Sequence, residues 1–92
     1  MDLGPTIVRL RKERGLKAKD VARKAGISFN AISAIEKGRS FPTKKTFYAI
    51  CNAIGMPHYL VLAECLSIDD VAPEKREFFK VIWPPIMDFL RK

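Results

Sequence analysis

The sequence has few residues of the kinds that bind metals or form disulfides. It contains one histidine and two cysteines, and Cys51 and Cys65 fall within apolar helical patterns rather than in a CxxC pair. Cysteines placed in this way are typical of small buried hydrophobic residues in a reducing compartment, with a thiol redox switch as the alternative. We therefore expect no zinc site, no other metal and no cofactor.

Long hydrophobic runs are also missing. No apolar run approaches the roughly 20 residues that span a bilayer, and the N-terminus has no apolar stretch typical of a signal peptide. The composition, 48% hydrophobic and 29% charged, is ordinary for a globular chain, and 92 residues suffice for one core. We expect a soluble, cytoplasmic, single-core protein with no membrane partner.

Residues that would indicate catalysis are absent as well. There is no glycine-rich phosphate-binding loop. The only histidine, His58, begins a predicted helix and has no cysteine or acid in a recognisable catalytic arrangement with it. We therefore expect that the protein is not an enzyme.

Positive charge is concentrated in one half of the chain. Residues 1–50 contain twelve lysines and arginines against four acids, whereas residues 51–92 contain five against six. Such asymmetry favours a polyanionic partner for the N-terminal half, because each neutralised phosphate releases a counterion. The alternative is that the basic surface serves only solubility.

Glycine, proline and capping residues divide the chain into helices. Apolar residues recur at helical spacing, and no strand-like alternation or internal repeat is present. The predicted helices cover residues 4–14, 17–25, 28–37, 43–54, 56–66 and 73–83. Pro84 and Pro85 are expected to break the last of them and to leave residues 86–90 as a final turn. The predicted fold is all-α.

The second and third helices are short and closely spaced. Gly26 ends the second helix in a left-handed conformation that a β-carbon would penalise, and Ser28 is a good N-cap for the third. Ile27 and Ile32 fit a hydrophobic staple that fixes the angle between the helices. Ala22 lies where the helices cross most closely. Two helices joined in this way predict a helix-turn-helix.

Three stretches have a pattern of small, apolar and glycine residues that is quite specific. They are Leu10-Arg11, the segment GLKAKDVARKAGIS at 15–28, and ISAIEKGR at 32–39 followed by Pro42-Thr43. Over about residues 4–66 the chain resembles the Cro/cI-type (XRE-like) family of phage and bacterial repressors. The resemblance implies a compact five-helix DNA-binding domain at 1–66. Residues 67–92 lie outside it and form a C-terminal helical extension.

The resemblance also assigns residue roles. It implies that Arg11 and Glu36 form a structural ion pair between the first and third helices. The base-facing side of the recognition helix would comprise Ser28, Phe29, Asn30, Ser33 and Ala34. The chain departs from the family at Ala18, where many members have a glutamine that contacts a phosphate, and at Phe29, where a polar residue is common. Sequence preference therefore cannot be transferred from a relative.

The chemistry of this exposed helix face supports base contact independently. An amide such as Asn30 can bond adenine at N6 and N7, serine can bond several bases, and Phe29 and Ala34 suit thymine methyl groups. The alternative is that Asn30 and Ser33 are ordinary surface residues and that Phe29 packs on a neighbouring helix. The candidates for phosphate contact lie around this face and are Lys17, Lys19, Lys37, Arg39, Ser40, Lys44 and Lys45.

The C-terminal extension has more apolar residues than one buried stripe of roughly 100° requires. We expect one side to dock on the domain and the other to meet a second copy, because paired helix-turn-helix units match major grooves ~34 Å apart. The expected dimer interface comprises Phe78, Phe79, Ile82, Trp83, Ile86, Phe89 and Leu90. The alternatives are a larger monomer core or a different protein partner.

Together these features predict a transcriptional regulator. It would bind double-stranded operator DNA as a homodimer, act as a repressor, and be nucleoid-associated when bound. The alternative function is a protein-interaction module, such as an antitoxin that uses its apolar C-terminal helix to bind a toxin.

Overall fold

Six α-helices and two short 3-10 helices form the computed structural model, which describes residues 1–92 and contains no strand. The predicted all-α fold is confirmed. The 3-10 helices are Ile68–Asp70 and Pro73–Lys75. The α-helices are α1 (Leu3–Glu13), α2 (Ala18–Ala25), α3 (Phe29–Glu36), α4 (Lys44–Ile54), α5 (His58–Cys65) and α6 (Arg76–Arg91).

Local capping explains where the central helices begin and end. The Ser28 hydroxyl accepts a hydrogen bond from the backbone N–H of Ala31 at 3.0 Å, which satisfies one of the unpaired donors at the start of α3. Thr43 Oγ1 caps α4 in the same way, at 3.2 Å from the Thr46 nitrogen. Gly26 ends α2 with φ +71°, a conformation in which glycine carries no steric penalty.

The first five helices enclose one hydrophobic core. Each of them contributes at least one fully buried aliphatic side chain, and these are Ile7, Val21, Ile32, Ile50 and Val61. α3 packs on α1 and α2, α4 packs on α2 and α5, and α5 packs on α1. α6 packs on α5, so that α1 and α5 lie between α6 and α3.

α6 continues through Pro84 and Pro85, so the predicted break at these residues is wrong. Each proline removes one N–H donor from the helix. The carbonyls four positions earlier belong to Lys80 and Val81, which are exposed residues. Met87 is buried in the core beyond the prolines. Packing on both sides of the pair therefore outweighs the two missing hydrogen bonds.

An acidic residue of α5 joins three helices. Glu64 accepts hydrogen bonds from Arg91 of α6 at 2.7 Å and from Arg9 of α1 at 2.9 Å. The charged N-terminus forms a further ion pair with Asp70 in the first 3-10 helix. These contacts attach both ends of the C-terminal extension to the five-helix core.

Gly4 allows α1 to approach the end of α3 very closely. A β-carbon at Gly4 would lie 2.5 Å from the carbonyl oxygen of Glu36 and 2.8 Å from that of Ile35. Both are backbone atoms, which cannot move aside as a flexible side chain would. The start of α1 and the end of α3 are therefore in direct backbone contact.

None of the helices combines the length and the apolar character needed to cross a membrane. No group of three or more histidine, cysteine, aspartate or glutamate side chains is placed to hold a metal ion. Both cysteines are unpaired and buried, and burial raises the pKa of the Cys51 thiol to about 11.

Candidate nucleic-acid interface

The turn between α2 and α3 is fixed by a backbone hydrogen bond and by packing against the core. The backbone N–H of Ile27 donates to the Ala22 carbonyl at 3.0 Å, and the Ile27 side chain packs against the core cluster. Val21 of α2 and Ile32 of α3 are fully buried. The two helices are thus fixed relative to each other, and the outer side of α3 faces solvent.

The exposed side of α3 has the residues that the sequence predicted there. Phe29 is 56% exposed, Asn30 is exposed, and Ser33 and Ala34 are half-buried. Phe29 is not among the residues of the buried core. Ser28 is exposed as well, but its hydroxyl oxygen already accepts the capping hydrogen bond from Ala31. It remains free to donate.

The predicted phosphate contacts lie at the start of α2, after α3 and at the start of α4, and none of their charged side chains is neutralised by the protein. The seven predicted phosphate contacts are all exposed, and none of their lysine and arginine side chains forms an ion pair, whereas Arg9, Arg11 and Arg23 do. The seven residues are Lys17, Lys19, Lys37, Arg39, Ser40, Lys44 and Lys45. The Lys44 ammonium lies 5.6 Å from the centre of the Tyr48 ring, which leaves its charge intact.

Arg11 and Glu36 form an ion pair with two hydrogen bonds beneath the recognition helix. Arg11 Nε donates to Glu36 Oε2 at 2.8 Å and Nη2 donates to Oε1 at 3.0 Å. Nη1 also donates to the Leu16 carbonyl at 3.3 Å, which ties the loop after α1 to the same group. The acidic side chain of α3 is thereby neutralised within the protein.

The predicted dimer residues divide into two sets on α6. Phe78, Ile86 and Phe89 are exposed, and Phe89 is 75% exposed. The others are half-buried and are Phe79, Ile82, Trp83 and Leu90. Trp83 and Leu90 pack against the core cluster, and the Phe79 and Trp83 rings stack with their centres 5.1 Å apart. Val81, exposed as well, extends the outer apolar face.

A second exposed apolar surface was missed by sequence reasoning. Phe41, 75% exposed, and Leu62 line a groove of about 320 Å³ beside Tyr48 and His58. Tyr59, the residue after His58, is about half exposed as well. Helical spacing could not locate Phe41, because it lies in the loop between α3 and α4. The signal that could have indicated an exposed apolar surface was an aromatic residue in a short loop.

His58 belongs to an aromatic cluster. Its ring centre lies 4.5 Å from that of Tyr48 and 5.8 Å from that of Tyr59. No carboxylate or thiol forms a hydrogen bond with its side chain. The surroundings of the His58 ring are therefore aromatic.

The fixed α2–turn–α3 unit, its exposed outer helix and its unpaired cations define a helix-turn-helix protein. The helix-turn-helix family profile matches residues 7–61. The chain belongs to this family of DNA-binding proteins, in its Cro/cI-type (XRE-like) branch.

Two relatives are similar to the chain over this domain. One is the uncharacterized HTH-type transcriptional regulator y4dJ of Sinorhizobium fredii, 38% identical over 56 residues, which are 61% of this chain and 73% of the relative. The other is the HTH-type transcriptional regulator DdrOP3 of Deinococcus deserti, also 38% identical over 56 residues. That match covers 61% of this chain but 43% of the relative, so the similarity spans less than half the length of DdrOP3.

Proposed function

We propose that the protein is a sequence-specific transcriptional regulator, a cytoplasmic repressor that occupies operator DNA as a homodimer. In this proposal residues 1–66 bind DNA and residues 67–92 form the dimer. The observation that carries the proposal is the exposed side of α3, together with the exposed and unpaired lysines and arginines at the start of α2, after α3 and at the start of α4. Membership of the helix-turn-helix family and the names of both relatives support it.

The base contacts would come from the side chains on the outer face of α3. The Asn30 side chain makes no hydrogen bond within the protein. Its amide oxygen is therefore available to accept from adenine N6, and its amide nitrogen is available to donate to N7. The Ser33 side chain likewise makes no hydrogen bond within the protein, whereas Ser28 Oγ already accepts the capping hydrogen bond and would donate its hydroxyl proton to a base. Phe29 and Ala34 would supply apolar contacts.

The phosphate contacts would come from the surrounding cations. Lys17 and Lys19 flank the start of α2, Lys37, Arg39 and Ser40 follow α3, and Lys44 and Lys45 begin α4. Positive charge at the start of α4 opposes the helix dipole, and a bound phosphate would remove that conflict. Contacts of this kind fix the register of α3 in the groove without reading sequence.

The dimer would form through the outer apolar face of α6. Phe78, Val81 and Phe89 are each exposed by two thirds or more, although the opposite side of the helix is docked on the core through Met87. Lys80 and Glu77 pair with each other on this helix, whereas Asp88 is exposed and forms no ion pair. A second copy would cover the apolar side chains of this face.

The same face could instead hold a different protein, as in an antitoxin that masks a toxin. The two candidates differ in what purified protein does alone. Self-association through α6 would cover the apolar face of that helix, whereas a protein that keeps this face for a toxin would leave it uncovered until the partner is added.

The DNA-binding proposal is tested by selecting bound duplexes from a random-sequence library and titrating the selected duplex with salt. The logarithm of affinity should fall linearly with the logarithm of salt concentration, with a slope of about −0.9 for each phosphate contacted. Asn30→Ala should weaken binding to the selected duplex more than to random sequence. A flat salt response would overturn the proposal.

The dimer is tested by sedimentation at tens of micromolar protein. Phe89 and Phe41 are both 75% exposed, but only Phe89 lies on α6, so the two phenylalanines form a matched pair. Phe89→Ser should give a monomer and Phe41→Ser should leave the dimer intact. A wild-type protein that sediments as a monomer would exclude this interface.

A further inference from the structure

Phe29 is an exposed aromatic side chain between two exposed polar residues, Ser28 and Asn30. It is 56% exposed, and no other aromatic ring packs against it, whereas Phe79, Tyr48 and Tyr59 each have an aromatic neighbour. The other strongly exposed aromatic residues lie in the groove beside α4 or on the outer face of α6. Phe29 belongs to neither surface.

The position of Phe29 in the helix-turn-helix defines what it can touch. It is the first residue of α3, directly after the Ser28 cap that fixes the start of the helix. Asn30 follows Phe29 directly, and Ser33 lies four residues after it. The side chains of Asn30 and Ser33 make no hydrogen bond within the protein. Since the N-terminal residues of a recognition helix are those that contact base edges, the ring would face the floor of the major groove.

A phenyl ring distinguishes few features of that groove. The edges of the bases present hydrogen-bond donors and acceptors, and the exception is the methyl group at C5 of thymine. Cytosine and uracil have only hydrogen at C5, but enzymatic methylation of cytosine at C5 places a methyl group at the same position. A ring without donors or acceptors responds to that methyl group and not to the pattern of polar atoms beside it.

We infer that Phe29 makes the recognition helix a reader of C5-methylated pyrimidines, so that 5-methylcytosine is accepted where thymine is. The inference rests on the proposed DNA-binding function and adds the chemical group that is read. Its consequence is regulatory: methylation of cytosine at C5 strengthens binding at sites that otherwise have cytosine at the contacted position.

The expected size of the effect follows from the surface that is buried. Burying one methyl group of the DNA against an apolar ring, out of contact with water, gives about a fourfold gain in affinity. Asn30 and Ser33 supply hydrogen bonds that are the same whether or not the pyrimidine carries a methyl group. Sensitivity to methylation therefore depends on Phe29 alone among these three residues.

The test uses the duplex selected from a random library and changes one methyl group at a time. In the first arm each thymine is replaced by uracil, which keeps every hydrogen bond. In the second arm the position that responds is rebuilt as a cytosine–guanine pair, and cytosine is compared with 5-methylcytosine. Affinity is measured for the wild-type protein, Phe29→Ala and the control Phe41→Ala.

Both variants should fold, because each replaces an exposed side chain and alanine favours the helix at position 29. The wild-type protein and Phe41→Ala should lose about fourfold in affinity on replacement of thymine by uracil. They should gain about fourfold on methylation of cytosine. At the position that Phe29 contacts, Phe29→Ala should show neither change, whereas a thymine contacted by Ala34 should respond alike in all three proteins. Phe29→Ala should keep the salt dependence of binding.

Three results would overturn the inference. They are equal wild-type affinity for methylated and unmethylated duplexes, a methyl preference that persists in Phe29→Ala at every position where the wild-type protein responds, and a response to thymine without a response to 5-methylcytosine. In each of these cases salt-dependent binding leaves the proposed function standing. If no duplex is bound in a salt-dependent manner, the proposed function itself fails and the inference fails with it.

Discussion

Arg11 and Glu36 connect the first helix to the recognition helix through a planar guanidinium–carboxylate pair with hydrogen bonds of 2.8 and 3.0 Å. Their side chains are 13% and 9% exposed, so water screens the pair only weakly. The hydrogen bond to Glu36 raises the pKa of Arg11 above its usual value. The pair fixes the end of α3 and removes a negative charge from the helix that would approach DNA.

Replacing Arg11 by alanine should destabilise the protein by about 3 kcal/mol, because it leaves the Glu36 carboxylate partly buried without a partner. Thermal unfolding followed by circular dichroism measures this. Arg14→Ala is the matched control, since Arg14 is exposed and forms no ion pair. The double variant Arg11→Ala/Glu36→Ala should be more stable than Arg11→Ala alone. Additive losses would contradict a direct coupling.

Gly4→Ala should be destabilising although alanine is the better helix former. The added β-carbon would lie 2.5 Å from the Glu36 carbonyl oxygen, and overpacking against backbone costs about 1–3 kcal/mol. Pro5→Ala, at the adjacent exposed position, should have a much smaller effect. Denaturant unfolding compares the two variants, and a Gly4→Ala protein as stable as wild type would mean that α1 and α3 do not touch in this way.

The attachment of α6 should weaken in acid. Partial burial alone would raise the pKa of Glu64, but hydrogen bonds from Arg91 and Arg9 outweigh it and hold that pKa below its ordinary value of 4.5. A carboxylate with a lowered folded-state pKa adds stability above the unfolded pKa and loses it as pH falls through the folded value. The contribution should therefore be complete above pH 4.5 and disappear progressively below it.

The variant Glu64→Gln should remove this pH-dependent contribution. Because Arg9 and Arg91 remain half exposed, the loss of stability near neutral pH should be roughly 1 kcal/mol. Hydrogen exchange of α6 amides measures the attachment directly and should rise in Glu64→Gln. It should not rise in Glu74→Gln, which changes an exposed acid without an ion pair. Equal exchange in the two variants would exclude Glu64 as the attachment point.

The helices that the sequence predicted well are those whose ends are set by local chemistry. Ser28 and Thr43 form their capping hydrogen bonds with residues three positions later. Gly26 and Gly55 adopt the positive φ that ends a helix. Such signals depend on neighbours in the chain, so the helix-turn-helix and its exposed residues could be placed before any coordinates.

The features that escaped prediction depend on contacts distant in sequence. The sequence around Pro84 does not indicate that Met87 is buried in the core and that α6 continues through both prolines. Glu64 reads as an isolated acid in an apolar helix, because its partners lie 55 and 27 residues away. The close approach of Gly4 to α3 likewise exists only once the core has brought α1 and α3 together. Helical spacing carries no information about these distances.

Two exposed lysines, Lys44 and Lys75, should differ in their effect on the salt dependence of DNA binding. Lys44 at the start of α4 and Lys75 in the C-terminal extension are both exposed, and neither forms an ion pair. If Lys44 contacts a phosphate, Lys44→Ala should weaken binding to all sequences alike and reduce the salt slope by about 1.

Lys75→Ala removes the same charge from the molecule, and any effect of net charge on the long-range field should be common to both variants. Because Lys75 is not one of the predicted phosphate contacts, Lys75→Ala should leave the salt slope unchanged. Fluorescence anisotropy with a labelled duplex at several salt concentrations separates the two outcomes. Equal slopes for Lys44→Ala and Lys75→Ala would mean that the basic half of the protein attracts DNA only at a distance, without a phosphate bound at the start of α4.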